Sequence, residues 1–160
     1  TLATAAHEGP VYLRFGRPSV PNFTSKDDKF EIGKGVMLNE GTDVTIIATG
    51  HLVWQSILAA KELEEQGISC ELINIHTIKP LDDAMILKSV AKTAKVVVAE
   101  EHQRLGGLGS AVSQLLAENS PCPMRFVAVN DSFGESGTPA QLMKKYGLDS
   151  SDVVKAVKSF

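Results

Sequence analysis

The chain has 160 residues, a formal net charge of −3 at pH 7 and 43% hydrophobic residues, the size of one ordinary domain with an extension. That balance argues against a dedicated nucleic-acid binder, which carries a basic face. No run nears the roughly 18–20 apolar residues that cross a bilayer. Thr1–Glu8 is short and holds an acidic residue, unlike a signal peptide. Cys70 and Cys122 form no CxxC or other metal-ligand spacing, so a soluble cytoplasmic protein is expected.

The opening segment runs to Val20 and contains Val11-Tyr12-Leu13-Arg14-Phe15, whose alternation predicts a strand. Ser19–Asp28 is polar, with Pro21, Asn22, Ser25, Lys26 and Asp27, and reads as a linker. A short helix end and one strand cannot bury themselves, so the beginning resembles the tail of something larger. From about Phe30 the pattern turns regular. Gly35–Leu38 reads as a short strand, and Val44–Ala48 as an apolar one covered on both faces. A helix follows with Val53, Ile57, Ala60 and Leu63 on one side, closed by Gly67.

Cys70–Ile75 is the next strand, with Cys70 a small buried hydrophobe. Pro80, Asp82 and Asp83 open a helix whose Ile86, Leu87, Val90, Ala91 and Ala94 recur at three and four residues. Lys95–Ala99 is a further buried strand, followed by a helix carrying Leu108, Ala111, Val112, Leu115 and Leu116. Cys122 falls between two prolines, in a loop. Arg125–Val129 is the last strand. Thr138, Pro139 and Gln141 form a capping box for a helix ended by Gly147. A final helix, capped by Asp149 or Ser150, buries Val153, Val154 and Val157. Strands alternating with helices predict an α/β fold, a mostly parallel sheet between two helical layers.

Few motifs carry chemistry. Gly106-Gly107-Leu108-Gly109 sits between strand and helix, where a phosphate can meet backbone N–H groups. It is neither GxGxxG nor a P-loop, and tight packing of helix on sheet is the favoured reading. Glu100, Glu101 and His102 stand at the carboxyl end of a strand, where open parallel sheets place ligands. They suit acid–base work, or holding a loop or an interface; His51 and His76 rank below them. No nucleophile elbow, HExxH or nucleophile–base spacing is present, so no catalytic, cofactor-binding or metal-ligating residue is assigned. Arg17, between Gly16 and Pro18 on a stiff turn, suits bidentate capture of a phosphate or carboxylate. A pair of surface arginines, Arg14 and Arg17, is the even alternative on spacing alone.

The run Gly9–Pro18 resembles the end of the pyrimidine-binding domain of transketolases. Asp43–Gly50, Thr77–Asp82, Val98–His102, Gly106–Val112 and Gly137–Leu148 resemble their carboxy-terminal domain, in order and with matching spacing. The resemblance implies a three-layer α/β/α sandwich with a mostly parallel five-stranded sheet, the first strand antiparallel. It divides the chain into 1–20, the tail of the pyrimidine-binding domain; 21–30, a linker; and 31–160, the C-terminal domain. It implies that Arg17 binds the substrate phosphate and that Glu101 and His102 belong to a channel or interface.

The family's diphosphate-binding GDG-and-Asn motif and its cofactor-activating glutamate are absent from the sequence. Thiamine diphosphate and Mg2+ are therefore expected to be bound by regions outside this chain, with none in the fragment. The expectation is the C-terminal part of a transketolase, a transferase of two-carbon ketol units between phosphorylated sugars in the pentose phosphate pathway. Its partners would be a homodimer mate or the N-terminal subunit of a split enzyme, and the fragment alone would be inactive. The alternatives are the same domain of 1-deoxy-D-xylulose-5-phosphate synthase or of a 2-oxoacid dehydrogenase beta subunit, or a non-catalytic assembly module.

Overall fold

The computed structural model describes residues 1–16 and 18–160. Five strands form one sheet in the order β1-β3-β2-β4-β5: β1 (Val36–Asn39), β2 (Val44–Ala48), β3 (Cys70–Asn74), β4 (Val96–Gln103) and β5 (Met124–Val129). β1 is antiparallel to β3, and the other neighbours are parallel. Parallel neighbours need crossovers, and helices α2 (Leu52–Glu65), α3 (Asp83–Thr93) and α4 (Leu108–Asn119) supply them. Helices α5 (Pro139–Lys145) and α6 (Ser150–Lys158) complete the chain, and a short α1 (Leu2–Ala6) precedes the sheet.

The two-residue period of a strand sends alternate side chains to opposite faces, and the core divides accordingly. Ile46, Ala48, Leu72, Val97 and Val127 pack with α2 and α6. Ile47, Ile73, Val96 and Val98 pack with α3 and α4. Both faces are covered, which is why β2 is buried at every position. The three-layer α/β/α sandwich with an antiparallel first strand is thus the observed fold.

Sequence patterning placed these elements within a residue or two, with three informative departures. Residues 11–16 join no strand: Tyr12 is 89% and Phe15 83% exposed, and no strand lies alongside to accept their backbone bonds. β4 runs on to Gln103 instead of stopping at Ala99, because Gln103 pairs with Val129 beyond a register shift. On α3, Ala91 and Ala94 are exposed and the hydroxyls Ser89 and Thr93 are buried in their place.

Those hydroxyls explain why polar residues occupy the buried stripe. Thr45 Oγ1 lies 2.6 Å from Ser89 Oγ and 2.7 Å from Thr93 Oγ1. Glu71, 1% exposed, takes the ammonium of Lys92, the hydroxyl of Ser89 and the amide N–H of Gly41. Burial alone would push its carboxyl up, but the hydrogen bonds from Lys92, Ser89 and Gly41 and the charge of Lys92 hold it below the ordinary value. A buried network satisfied at each member rigidifies the core instead of weakening it. Gly41 is required sterically: a Cβ there would overlap the backbone of Cys70 and Glu71.

The helix ends follow their sequence signals. Asp82 caps α3 by accepting from the Met85 amide at 3.2 Å and also accepts from the Gly35 amide at 3.0 Å. Thr138 and Gln141 form the capping box of α5, and Asp149 caps α6. In the segment before the sheet, Phe23 stacks on Trp54 with ring centroids 6.5 Å apart, and Phe30 lies 4.3 Å from the His76 ring.

Candidate functional site

β2 and β4 are neighbours, with Ala48 opposite Ala99 and the Thr49 amide donating to Ala99 O at 3.1 Å. Beyond that last rung β2 leaves the sheet while β4 continues beside β5 to Gln103. His51 follows Ala48 by three residues and begins α2, after a turn at Gly50 whose φ of +59° favours glycine. Glu101 follows Ala99 by two. The two side chains meet, His51 Nδ1 lying 2.8 Å from Glu101 Oε2, with His51 17% and Glu101 41% exposed. Arg14 reaches across from the amino-terminal segment and donates from Nη2 to Glu101 O at 3.2 Å. Gly16 lies so close to the His51 ring that a Cβ would overlap its Nε2 and Cε1.

The adjacent Glu100 points to the opposite face, as the strand period requires. Its carboxylate is 2% exposed and accepts the amides of Leu108 and Gly109, each at 2.8 Å. These are the free N–H groups of the first turn of α4, where negative charge is favoured. A Cβ on Gly107 would collide with that carboxylate, and one on Gly109 would approach the Phe126 ring at 2.9 Å. The glycine-rich turn therefore serves an internal carboxylate and close packing, with the Leu108 and Gly109 amides taken by Glu100 and that of Gly106 by Ser110 Oγ.

An open depression of about 420 Å³ lies at the carboxyl ends of β2, β4 and β5. Val129, Leu142, Met143 and Leu148 supply apolar lining, and His51, Glu101, His102, Gln103, Tyr146 and Pro18 polar groups and flank. His102 is exposed and donates from Nδ1 to Gln103 O at 3.0 Å. Gln103 Nε2 donates to Ser132 O at 2.9 Å, and Tyr146 Oη to Phe133 O at 3.0 Å. The rim can hydrogen-bond a polar ligand, but it pairs no nucleophile with a base.

Of the residues singled out in the sequence, the structure brings Glu101 and His102 to this depression and sends Glu100 beneath α4. Glu101 pairs with His51, not with its neighbour His102. His76 stands elsewhere, half-buried, with Nδ1 3.0 Å from Thr77 Oγ1 and its pKa pushed down by burial. Arg17 lies outside the described residues. The α5 lining residues and the partnership of His51 were missed, since nothing in chain order says that β2 and β4 are neighbours.

A family model described as "Transketolase, C-terminal domain" matches residues 33–153. The chain belongs to that family. It is 48% identical over 151 residues to a 6-deoxy-6-sulfo-D-fructose transketolase subunit from Clostridium sp. (strain MSTE9), covering 94% of this chain and 47% of the relative. It is 35% identical to a 1-deoxy-D-xylulose-5-phosphate synthase from Heliobacterium modesticaldum, covering 95% of this chain and 24% of that enzyme. A solved split-gene transketolase, described as an inactive beta4 tetramer, superposes with a TM-score of 0.94 at 48% identity, over 97% of this chain and 51% of that one. The transketolase relative and this neighbour are each about twice the length that the chain spans.

The family's usual cofactor does not fit the residues of this transketolase C-terminal domain. Thiamine diphosphate needs free N–H groups for its diphosphate and oxygen ligands for a metal. The glycine-rich helix start is occupied by Glu100, and among the described residues no three His, Cys, Asp or Glu side chains converge as metal ligands. No described helix is long and apolar enough to cross a membrane.

Proposed function

We propose that this chain is the C-terminal part of a transketolase that transfers two-carbon ketol units between phosphorylated sugars, a reaction of the pentose phosphate type. The observation that carries the reading is the match to the split-gene transketolase, 48% identical over 97% of this chain. Residues 1–20 are then the tail of the pyrimidine-binding domain, 21–30 the linker and 31–160 the C-terminal domain. The near-complete exposure of Leu2, Tyr12 and Phe15 supports a missing neighbour beside that tail. Thiamine diphosphate and Mg2+ are held by regions outside the chain, and the fragment alone is inactive. A second copy, or the N-terminal subunit of a split enzyme, provides the partner. The unpaired thiols Cys70 and Cys122 suit a cytoplasmic setting.

Within this assembly Arg17 binds the terminal phosphate of the sugar, and Glu101 and His102 line the approach to it. Assay of the intact parent with xylulose 5-phosphate and ribose 5-phosphate, against pyruvate with glyceraldehyde 3-phosphate, tests the assignment; turnover only with pyruvate overturns it. A sulfonated sugar is the second reading, supported by the name of the 48%-identical relative. Phosphate and sulfonate are both tetrahedral anions suited to a guanidinium, and side-by-side assays of the two sugar classes separate them. Arg17→Ala should weaken anionic substrates and spare cofactor binding.

A further inference from the structure

We infer that Phe133 and the α5 side of the depression are knob and hole of one contact between two copies of the chain. Phe133 of each subunit then seats against Val129, Leu142 and Met143 of its mate; the identity of the occupant rests on the second-copy reading proposed above. Phe133 is 97% exposed, although the loop that carries it is held at successive positions. Gln103 Nε2 donates to Ser132 O at 2.9 Å, Tyr146 Oη donates to Phe133 O at 3.0 Å, and Lys145 Nζ lies 2.6 Å from Glu135 Oε2. The main chain is tied back while the aromatic side chain stands in solvent. A ring displayed on a fastened loop gives up little freedom when a partner covers it, which is how an anchor residue contributes to an interface.

The hole stands beside the knob. Gln103 and Tyr146, which hold the loop, also line the depression, and Val129, Leu142 and Met143 give it an apolar wall. Helix α5 supplies two of those apolar residues yet buries none of its seven, whereas a short helix takes most of its stability from packing an apolar face. Knob and hole on one face make that face complementary to itself, and a two-fold axis between them satisfies both at once. The charges agree with this. Glu135 and Lys145 put both signs at the rim, each more than half exposed, so two copies meet without net repulsion and can trade ion-pair partners. An unrelated partner would be met by a ring or by a pocket; a face that offers both is matched by its own copy.

The test uses the intact parent protein and two independent readouts. Phe133→Ser alters a side chain that lies in solvent within the single chain, so the fold is kept, as an unchanged far-ultraviolet circular dichroism spectrum checks. Subunit exchange between two differently labelled pools should quicken about thirtyfold in Phe133→Ser, the loss of one anchor. The second readout tests the pairing. Parent protein carrying F133C is mixed with parent carrying L142C and treated with a short bismaleimide. Seating of the ring in the hole joins one chain of each kind, above the background of the unsubstituted parent. F133C joined only to itself, or no mixed product, overturns the seating. A parent that self-associates but exchanges at the same rate in Phe133→Ser overturns this inference and leaves the second-copy reading standing. A parent that is monomeric at micromolar concentration overturns that reading, and this inference falls with it. Weakened hold on a separate N-terminal subunit, with exchange between copies unchanged, assigns the ring to that subunit and also overturns the inference.

Discussion

At the amino ends of β2 and β3, Thr45, Glu71, Ser89 and Thr93 are all buried and bonded to one another. At the carboxyl ends, His51, Glu101 and His102 border an open depression and keep part of their surface in solvent. The two ends draw on similar residue types, carboxylates and hydrogen-bonding side chains, yet the consequences differ. Where the groups are dry, each bond is strong and each orphaned partner costly, so the network fixes one packing of α3 on the sheet. Where they are wet, pairing adds little to stability and leaves the groups available to a ligand or a neighbouring chain. Glu100 and Glu101 show the contrast within one dipeptide: a single step along β4 separates a carboxylate that holds a helix from one that faces the site.

The contrast can be broken most directly at Glu100. Glu100→Ala orphans two amides of α4 and empties a buried site, and should cost about 4 kcal/mol in urea unfolding, summing two bonds to a charged acceptor. Gly41→Ala should cost about 2–3 kcal/mol, because the new methyl meets the backbone of Cys70 and Glu71, which cannot rotate away. A loss below about 0.5 kcal/mol in Gly41→Ala would mean that the buried end is not the rigid one, and one in Glu100→Ala that its carboxylate does not hold α4.

The Glu71 network also predicts an acid limb. The Glu71 carboxyl is held below its ordinary 4.5 in the folded chain, so the unfolded chain binds that proton at higher pH. Unfolded protein then carries more protons as pH falls, and stability rises with pH through this range. The contribution is whole above about pH 4.5 and is lost as pH drops through the lowered folded value. Urea midpoints measured on both sides of pH 4.5 should converge less steeply in Glu71→Gln than in the parent. An identical acid slope in the two proteins would remove Glu71 from the account.

Much of the fold was legible because period, caps and turns act locally. The run Val44–Ala48 announces a doubly covered strand, and Thr138-Pro139-Ala140-Gln141 announces its helix start residue by residue. What was illegible depends on partners distant in sequence. The strand expected at Val11–Phe15 has no strand beside it in this structure. The burial of Ser89 and Thr93 is not readable from their own helix, because the partner that explains it, Thr45, stands more than forty positions away. The glycine-rich turn could be read as steric, but its occupant, Glu100, became visible only once β4 and α4 were placed together. Arg17 stands out in the sequence from its flanks Gly16 and Pro18 alone; the closeness of Gly16 to His51 became visible only in the fold.

The smallest expected effect is the most discriminating for that comparison. Glu101→Gln removes the charge of the pair while keeping its shape, and His51 and Glu101 are both in contact with solvent. Exposed pairs of this kind contribute about 0–1 kcal/mol, so the urea midpoint should move by less than a quarter of the shift in Glu100→Ala. Salt provides an internal control, since screening acts on exposed charges and much less on buried ones. Raising ionic strength should erase the small stability difference of Glu101→Gln and leave that of Glu100→Ala in place. Two variants one residue apart, one large and salt-insensitive and one small and salt-sensitive, would separate the structural carboxylate from the one at the site. Equal shifts for both would show that β4 does not change role at Ala99, and that Glu101 belongs to the fold as firmly as its neighbour.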